Sequence, residues 1–474
     1  MDNLFLYGSG KRCQILLNLL DEVEMKVSGV VDSDSTKWGK IIENYEICSP
    51  DILKNVKNGY VCVTFYSSLV EEPIWNRLRE DYNIPGDRIV SFHDLLIRIF
   101  ARKDMVDDLK MSKGQWKTLF DGSWELELGG VEAWLKDVVW GLVECGYKEL
   151  YLVTKKNQMN MPIGIKDYII DFCLYNTPKF MEKHIREGVR LILHELPCTI
   201  VFSRVDELML AAYLVKQKYP NEIKIVMVDH GSCDGMYRDI LSYQSGIDYY
   251  MCVSSGIKEE LVKRGVSSRQ VTVMTCPVQY DISLERTYSL DMNSPVQIGY
   301  AGRLEIFEKR IDILMEVLIK LEEKKVNYHF SIAGDGTQYA AVEDYVREKN
   351  ICERVSLLGR INHDRICEFW KKQDIAVNTS DNEGRPLSNM EAMINGAVPV
   401  VTRTIGILDD VVDGRNGYIV PIEDAEAMAD RILYLAMNRT LIREFGMRAR
   451  QEMLCKSDRK KHIEMWKSVL TMMR

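Results

Sequence analysis

The stretch SDNEGRPLSNMEAMINGAVPVVT, Ser380 to Thr402, begins where one apolar run, DIAVNTS, ends, and closes on another, AVPVVT. Short apolar runs bounded by turn residues read as buried strands, so Ser380 to Gly384 is a loop at the carboxyl end of a strand. Pro386 suits the first turn of a helix, where its missing N–H would have been unpaired in any case. The helix is expected from Pro386 to Ile394, with Asn395 and Gly396 as its stop. Strand, loop, helix, strand is the unit of a parallel α/β sheet.

The amino end of that helix offers free backbone N–H groups and the positive end of its dipole. A phosphate is therefore expected at Leu387, Ser388 and Asn389, with Gly384 on its approach. Two carboxylates flank the spot. Glu391, a turn further in, can accept two hydrogen bonds from a vicinal diol such as a ribose. Glu383, ahead of the helix, lies nearer whatever is attached to the far phosphate.

A second stretch, GYAGRLEIFEKR, places Arg303 just after a strand and Lys309 six residues later. Two cations beside a diphosphate neutralise the charge that builds on it as it leaves, the part Mg²⁺ plays elsewhere. Arginine also holds phosphate oxygens two at a time.

The same alternation extends through the chain. VQIGYAGRL, YHFSIAGDG, RVSLLGRI, DIAVNTS, AVPVVT and GYIV give one set of strands; WKTLFDG, ELYLVT, CTIVFSR, IKIVMVDHG and DYYMCVS give a second; NLFLYG, VSGVVDSD, GYVCVTF and RIVSF give a third near the amino end. The expected fold class is α/β, with domains over residues 1–105, 114–280 and 295–440 and a helical tail over 441–474 that packs back across them. Ala101 to Trp116 reads as a linker.

Length and composition agree: 474 residues, 46% hydrophobic and 28% charged, are those of a globular chain of about three domains. A net charge of −8 argues against a protein that coats nucleic acid. Twelve cysteines without a CxxC pair read as reduced thiols, and with seven histidines they show no ligand spacing for a metal. No apolar run reaches the roughly 18 to 20 residues of a membrane span, so any membrane contact is expected to be peripheral, and the reduced thiols give the cytoplasm as the expected location. The basic amphipathic end RKKHIEMWKSVLTMM leaves room for peripheral contact with the inner face of the cell membrane.

The glycine-arginine loop with its lysine, the downstream AGDG, and S-x-x-EG-x-P-x-x-x-x-EAM-x-x-G-x-PVV together resemble the retaining glycosyltransferases of family 4. The resemblance runs from about Lys117 to the carboxyl end. It implies the GT-B fold of two facing Rossmann-like domains, with a small Rossmann-like module added in front. It implies metal-independent transfer, with retention, from a nucleotide-diphosphate sugar (UDP- or GDP-sugar) to a glycan, glycolipid or other hydroxyl acceptor, in surface polysaccharide or glycoconjugate synthesis. No cofactor is required. By the same resemblance Glu383 contacts the donor sugar, Glu391 the ribose, and Arg303 and Lys309 the diphosphate. His230 in MVDHG matches a histidine beside the donor sugar, Gly129 and Gly130 in ELELGGVEAW match a glycine loop, and LLGRI with Arg360 falls near the nucleobase. Cys276 stands where many members have asparagine. Three rival readings are an epimerase of the same fold, a non-catalytic scaffold of a polysaccharide complex, and an NAD-dependent enzyme built on the amino-terminal YGSG.

The amino-terminal LYGSGKRCQILL has Gly8 and Gly10 between a strand and a helix, but Cys13 where a dinucleotide fingerprint has its third glycine. Asp32, 22 residues after Gly10, stands where a ribose-binding acid would.

Overall fold

The computed structural model describes all residues except 1–2, 57, 66–67, 107–113, 123–129, 155–165, 170–180, 275, 279 and 281–285. The alternation read from the sequence becomes three α/β sheets. The first contains β1 (Leu4–Tyr7), α1 (Lys11–Glu22), β2 (Val27–Val31), β3 (Ile41–Ile42), β4 (Tyr45–Cys48), β5 (Tyr60–Val63), α2 (Ser68–Glu80), β6 (Ile89–Ser91) and α3 (Phe92–Phe100), in strand order β3-β4-β2-β1-β5-β6. Only the β3–β4 pair in it is antiparallel.

The second contains β7 (Lys117–Gly122), α4 (Gly130–Glu144), β8 (Leu150–Thr154), β9 (Lys166–Ile169), α5 (Met181–Glu195), β10 (Cys198–Phe202), α6 (Glu207–Lys218), β11 (Ile223–Asp229), α7 (Asp234–Leu241) and β12 (Tyr249–Cys252). Its strands run β12-β11-β10-β7-β8-β9. The α8 helix (Ser255–Lys263) and β13 (Val271–Val273) follow.

The third contains β14 (Val296–Ala301), α9 (Ile311–Glu323), β15 (Tyr328–Ala333), α10 (Tyr339–Glu348), β16 (Val355–Gly359), α11 (Ile366–Trp370), β17 (Ile375–Asn378), α12 (Leu387–Ile394), β18 (Val398–Thr402) and β19 (Tyr418–Val420). Its order is β16-β15-β14-β17-β18-β19, parallel throughout. Then come α13 (Ala425–Met437), α14 (Arg439–Lys456) and α15 (Arg459–Met472).

Strands covered by helices on both faces need apolar residues at every position rather than every second one. β10, β17 and β18 are buried at each residue, and that is why they stand out in the sequence as unbroken runs. The core of the third sheet joins Ile298, Phe330, Ile332 and Val400 of its strands to Leu314 and Val317 of α9 and Ile432 of α13.

Two compact units result: residues 1–229, 233–251 and 466–474 make the first, and residues 230–232 and 252–465 the second. Within the first unit the amino-terminal module is joined to the second sheet by a buried polar seam. Arg12 pairs with Asp239 at 3.2 Å, the Ser91 and Ser242 hydroxyls meet at 3.0 Å, and His93 Nδ1 lies 3.1 Å from the Tyr243 hydroxyl. The eleven cysteines among the described residues are free thiols, and burial pushes Cys13 up to about 12 and Cys276 up to about 11. Cys145, Cys352 and Cys455 are exposed.

Candidate functional site

The third sheet changes direction between β14 and β17, which pair at Ile298 with Ile375 and Gly299 with Ala376. Chain leaves β14 toward β15 on one side and β17 toward β18 on the other. In open α/β sheets the crevice outside the carboxyl ends at such a reversal is where ligands bind. The two segments above it are residues 302–310 and 379–386, the ones that carry Arg303, Lys309, Glu383 and Gly384.

These segments are stitched together. Lys309 Nζ lies 2.5 Å from Glu383 Oε1, and the Ser380 hydroxyl donates to the same oxygen at 2.7 Å. The Thr379 hydroxyl donates to the Lys309 carbonyl at 2.9 Å, and the Asp381 amide to the Glu308 carbonyl at 3.0 Å. The ion pair is mostly removed from water, with side-chain exposures of 20% for Lys309 and 10% for Glu383. A charge so placed needs its partner, so whatever draws Lys309 away must bring comparable negative charge. Beneath them burial raises the pKa of the Tyr300 phenol, the nearby Glu383 charge adding to the effect, and the hydroxyl donates to the Arg303 carbonyl at 2.9 Å.

Lys309 sits between two residues in left-handed conformation, Glu308 at φ 67° and Arg310 at φ 50°. Each costs a side-chain-bearing residue roughly 1–2 kcal/mol. Arg310 compensates with ion pairs to Asp312 at 2.9 Å, to Asp381 at 3.7 Å and to Glu423.

The α12 helix has no side-chain cap and no acid in its first turn, so its leading amides are left to a ligand or solvent. It starts at Leu387 rather than at Pro386 as expected. Pro386 adopts φ −73°, ψ 110° and is the cap, its carbonyl accepting from the Asn389 amide at 3.1 Å, the role a cap carbonyl plays. The expected stop holds: Asn395 donates its side-chain amide to the Glu391 carbonyl, and Gly396 turns at φ 84°. Leu387 and Ser388 are half-buried, while Asn389 and Glu391 are buried. Gly384 has no room for a side chain, since a Cβ there would lie 2.0 Å from the His230 carbonyl oxygen. The segment of His230 is further held by a hydrogen bond from the Ser232 hydroxyl to Asn382.

The other expected residues are not gathered here. Arg303 is 63% exposed and pairs with Glu308 of its own loop at 3.1 Å. Arg360 is exposed after Gly359 at the end of β16. Gly130 is the exposed first residue of α4, in the first unit, and Gly129 falls outside the described residues. In the amino-terminal module Asp32 does not project as a free ribose-binding acid. It accepts from the Ser9 amide at 2.9 Å, the Ser9 hydroxyl at 2.5 Å and Lys37 at 3.1 Å; burial opposes its ionisation, but these bonds and one from the Asp34 amide outweigh it and lower the pKa.

Sequence reasoning passed over Thr379, Ser380, Asp381 and Arg310, none of which has a distinguishing spacing. It also passed over Arg385, buried between Glu383 and the helix. Arg385 forms a two-pronged pair with Asp410, at 2.9 and 2.8 Å, and donates to the Val253 carbonyl at 3.3 Å. A charged residue inside an otherwise buried motif was the available signal. Among the described residues no group of three or more His, Cys, Asp or Glu side chains is placed to hold a metal ion.

Comparison with known proteins bears on both ends of the chain. Residues 289–452 match the family model described as glycosyl transferases group 1, and residues 1–90 the model described as C2185-like, N-terminal. The chain is 34% identical over 172 residues to the poly(ribitol-phosphate) alpha-N-acetylglucosaminyltransferase of Staphylococcus aureus, taking in 36% of this chain and 34% of that one. It thus spans about a third of that relative's length. It is 23% identical over 313 residues to the lipopolysaccharide 1,6-galactosyltransferase of Escherichia coli, or 64% of this chain and 84% of that one. Among solved structures, HepE of Anabaena, solved with UDP and glucose, superposes with a TM-score of 0.60 at 15% identity over 75% of this chain and 99% of the other, a likeness of fold. The architecture is therefore GT-B, with an additional α/β module before it and a helical tail after it, and residues 289–452 are the part similar to glycosyl transferases group 1.

Proposed function

We propose that this chain transfers a sugar from a nucleoside-diphosphate sugar to an acceptor hydroxyl, with retention of anomeric configuration, in the synthesis of a bacterial surface polysaccharide or glycoconjugate. The observation that carries the reading is the Lys309–Glu383 pair at the reversal of the third sheet, three residues ahead of the uncapped α12 cap. Relatives named for transfer of N-acetylglucosamine and galactose support the same reaction class.

In this reading residues 295–440 take the donor, 114–280 the acceptor, 1–105 act as an accessory module, and 441–474 close the fold. The diphosphate rests on the amides of Leu387 and Ser388. Its charge outweighs that of one carboxylate and draws Lys309 across from Glu383. That exchange frees Glu383 to accept from hydroxyls of the donor sugar, with His230 beside it. Arg303, exposed and paired with Glu308 on its own loop, swings to the departing phosphate. Lys309, Arg303 and the helix mouth stabilise the leaving group most when its charge is greatest, in the transition state, and so lower the barrier. Two such cations suit transfer without a bound metal. Glu391 holds the ribose, and Arg360 lies toward the base, for which UDP and GDP are the candidates; the UDP in the HepE structure makes UDP-sugars the first to try.

Among the described residues no helix is long and apolar enough to cross a membrane. We place the protein in the cytoplasm, working on a glycan or glycolipid acceptor, at the membrane's inner face where that acceptor is lipid-borne. The test is incubation of the whole chain with UDP- and GDP-sugars and a panel of hydroxyl acceptors, with the product anomer read by NMR. Transfer with retention is expected. Epimerised donor without transfer, or donor binding without any turnover, would overturn the reading.

A further inference from the structure

We infer that Arg310 is a positioning residue: it holds the backbone on either side of Lys309 in its left-handed turn so that the ammonium is aimed at the crevice. The inference rests on the reading of Lys309 given above.

The argument is geometric. Glu308 and Arg310 both have positive φ, and neither is glycine, so the turn is not one the chain adopts by itself. What keeps it is tertiary. The Arg310 guanidinium reaches the first turn of α9 at Asp312, the segment after β17 at Asp381, and the connection between β19 and α13 at Glu423. The Asp381 amide also bonds the Glu308 carbonyl, so one residue of the neighbouring segment grips both sides of Lys309. The Arg310 side chain is 16% exposed, whereas Arg303, on the same loop, is 63% exposed. One cation is therefore anchored across three segments, and the other is tied only loosely, to Glu308 of its own loop. Among the described residues the Arg310 guanidinium pairs with Asp312, Asp381 and Glu423 and not with Glu383, so it acts on the site through the backbone of Lys309.

A residue that acts only through Lys309 has a defined signature. Arg310→Ala should lower kcat for donor turnover about tenfold or more, with KM for the donor changed less than threefold. In a Lys309→Ala background the same substitution should change kcat less than twofold, because its target is gone. Arg310→Gly should fall less than Arg310→Ala, since glycine takes the positive φ freely. Arg310→Lys, which keeps the charge, should recover part of the loss. Wild-type kcat in Arg310→Ala, or equal losses with and without Lys309, would overturn the inference. Hydrogen exchange of residues 303–310 keeps it testable even where the wild-type protein turns over no nucleotide sugar, a result that counts against the proposed function. Faster exchange there in Arg310→Ala supports the positioning role, and unchanged exchange overturns it.

Discussion

Substituting Gly384 by alanine adds one methyl group where the site has no room for it. Its φ lies outside the left-handed region, so the effect is one of space alone. The new Cβ would sit 2.0 Å from the His230 carbonyl oxygen, against the 3.4 Å at which ordinary contact begins, so about 1.4 Å must be found. The segment cannot simply back away. On another side a Cβ on Gly406 would lie only 2.1 Å from the Gly384 carbonyl, and the Gly406 amide bonds the Glu383 carbonyl at 3.0 Å. Three backbone segments are thus packed glycine against carbonyl, and a shift of that size carries the adjacent Glu383 carboxylate with it. A displacement of about 1 Å at reacting groups can cost about a hundredfold in rate, while overpacking costs about 1–3 kcal/mol of stability. Gly384→Ala should therefore melt a few degrees lower, keep its circular dichroism spectrum, and lose about a hundredfold in steady-state turnover of the sugar nucleotide. Turnover within about threefold of wild type would refute the claim that this packing sets the position of Glu383.

Arg303→Ala and Lys309→Ala should each cut kcat at least about a hundredfold, as loss of a comparable transition-state contact does, and an initial-rate assay with saturating donor checks both. Arg385→Met alone leaves Asp410, only 4% exposed, without its main partner and should cost about 3–5 kcal/mol in urea unfolding; adding Asp410→Leu should recover most of it. Unfolding measured against pH should show two opposed slopes, one from His93 in the seam of the first unit and one from Glu207, buried at the start of α6. His93, held to about 4 by burial despite Asp239, stays neutral in the fold while the unfolded chain takes a proton, so its stabilisation is full above about pH 6.5 and is lost as pH falls toward 4, by up to about 3 kcal/mol. Glu207, raised to about 7 by burial and Asp206, keeps its proton when the unfolded chain has lost it, so its part declines as pH rises from about 4.5 to 7. His93→Gln should remove the first slope and expose the second; an unchanged profile would show that neither group titrates as its surroundings require.

The fold class was legible because burial on both faces writes itself as unbroken apolar runs, as in CTIVF and VPVVT, and because glycine or proline marks the breaks between them. The end of α12 was legible for a local reason, Asn395 and Gly396 being residues that close helices on their own. Its beginning was less so: Pro386 fits either the cap or the first turn, and the choice depends on ψ, which the ring leaves free. Glu383 and Lys309 could be picked out one at a time, but their contact spans 74 positions and exists only because β14 and β17 are neighbours. The left-handed turn at Glu308 and Arg310 had no local signal, since nothing short of Asp381 and Glu423 in place makes it stable. Asp32 illustrates the converse. Its spacing from Gly10 suits a ribose, yet Ser9, one residue from each glycine, is the nearer donor and takes it.

The distribution of thiols has a practical outcome. Burial keeps Cys13 and Cys276 protonated and inert at neutral pH, whereas Cys145 lies exposed in the first unit and Cys352 in the second. With Cys48, Cys173, Cys233, Cys367 and Cys455 changed to serine, a maleimide dye pair should report on the scaffold through these two sulfurs. Energy transfer between them, followed while a sugar nucleotide is added, would show whether the two halves of the chain move against one another during a catalytic cycle.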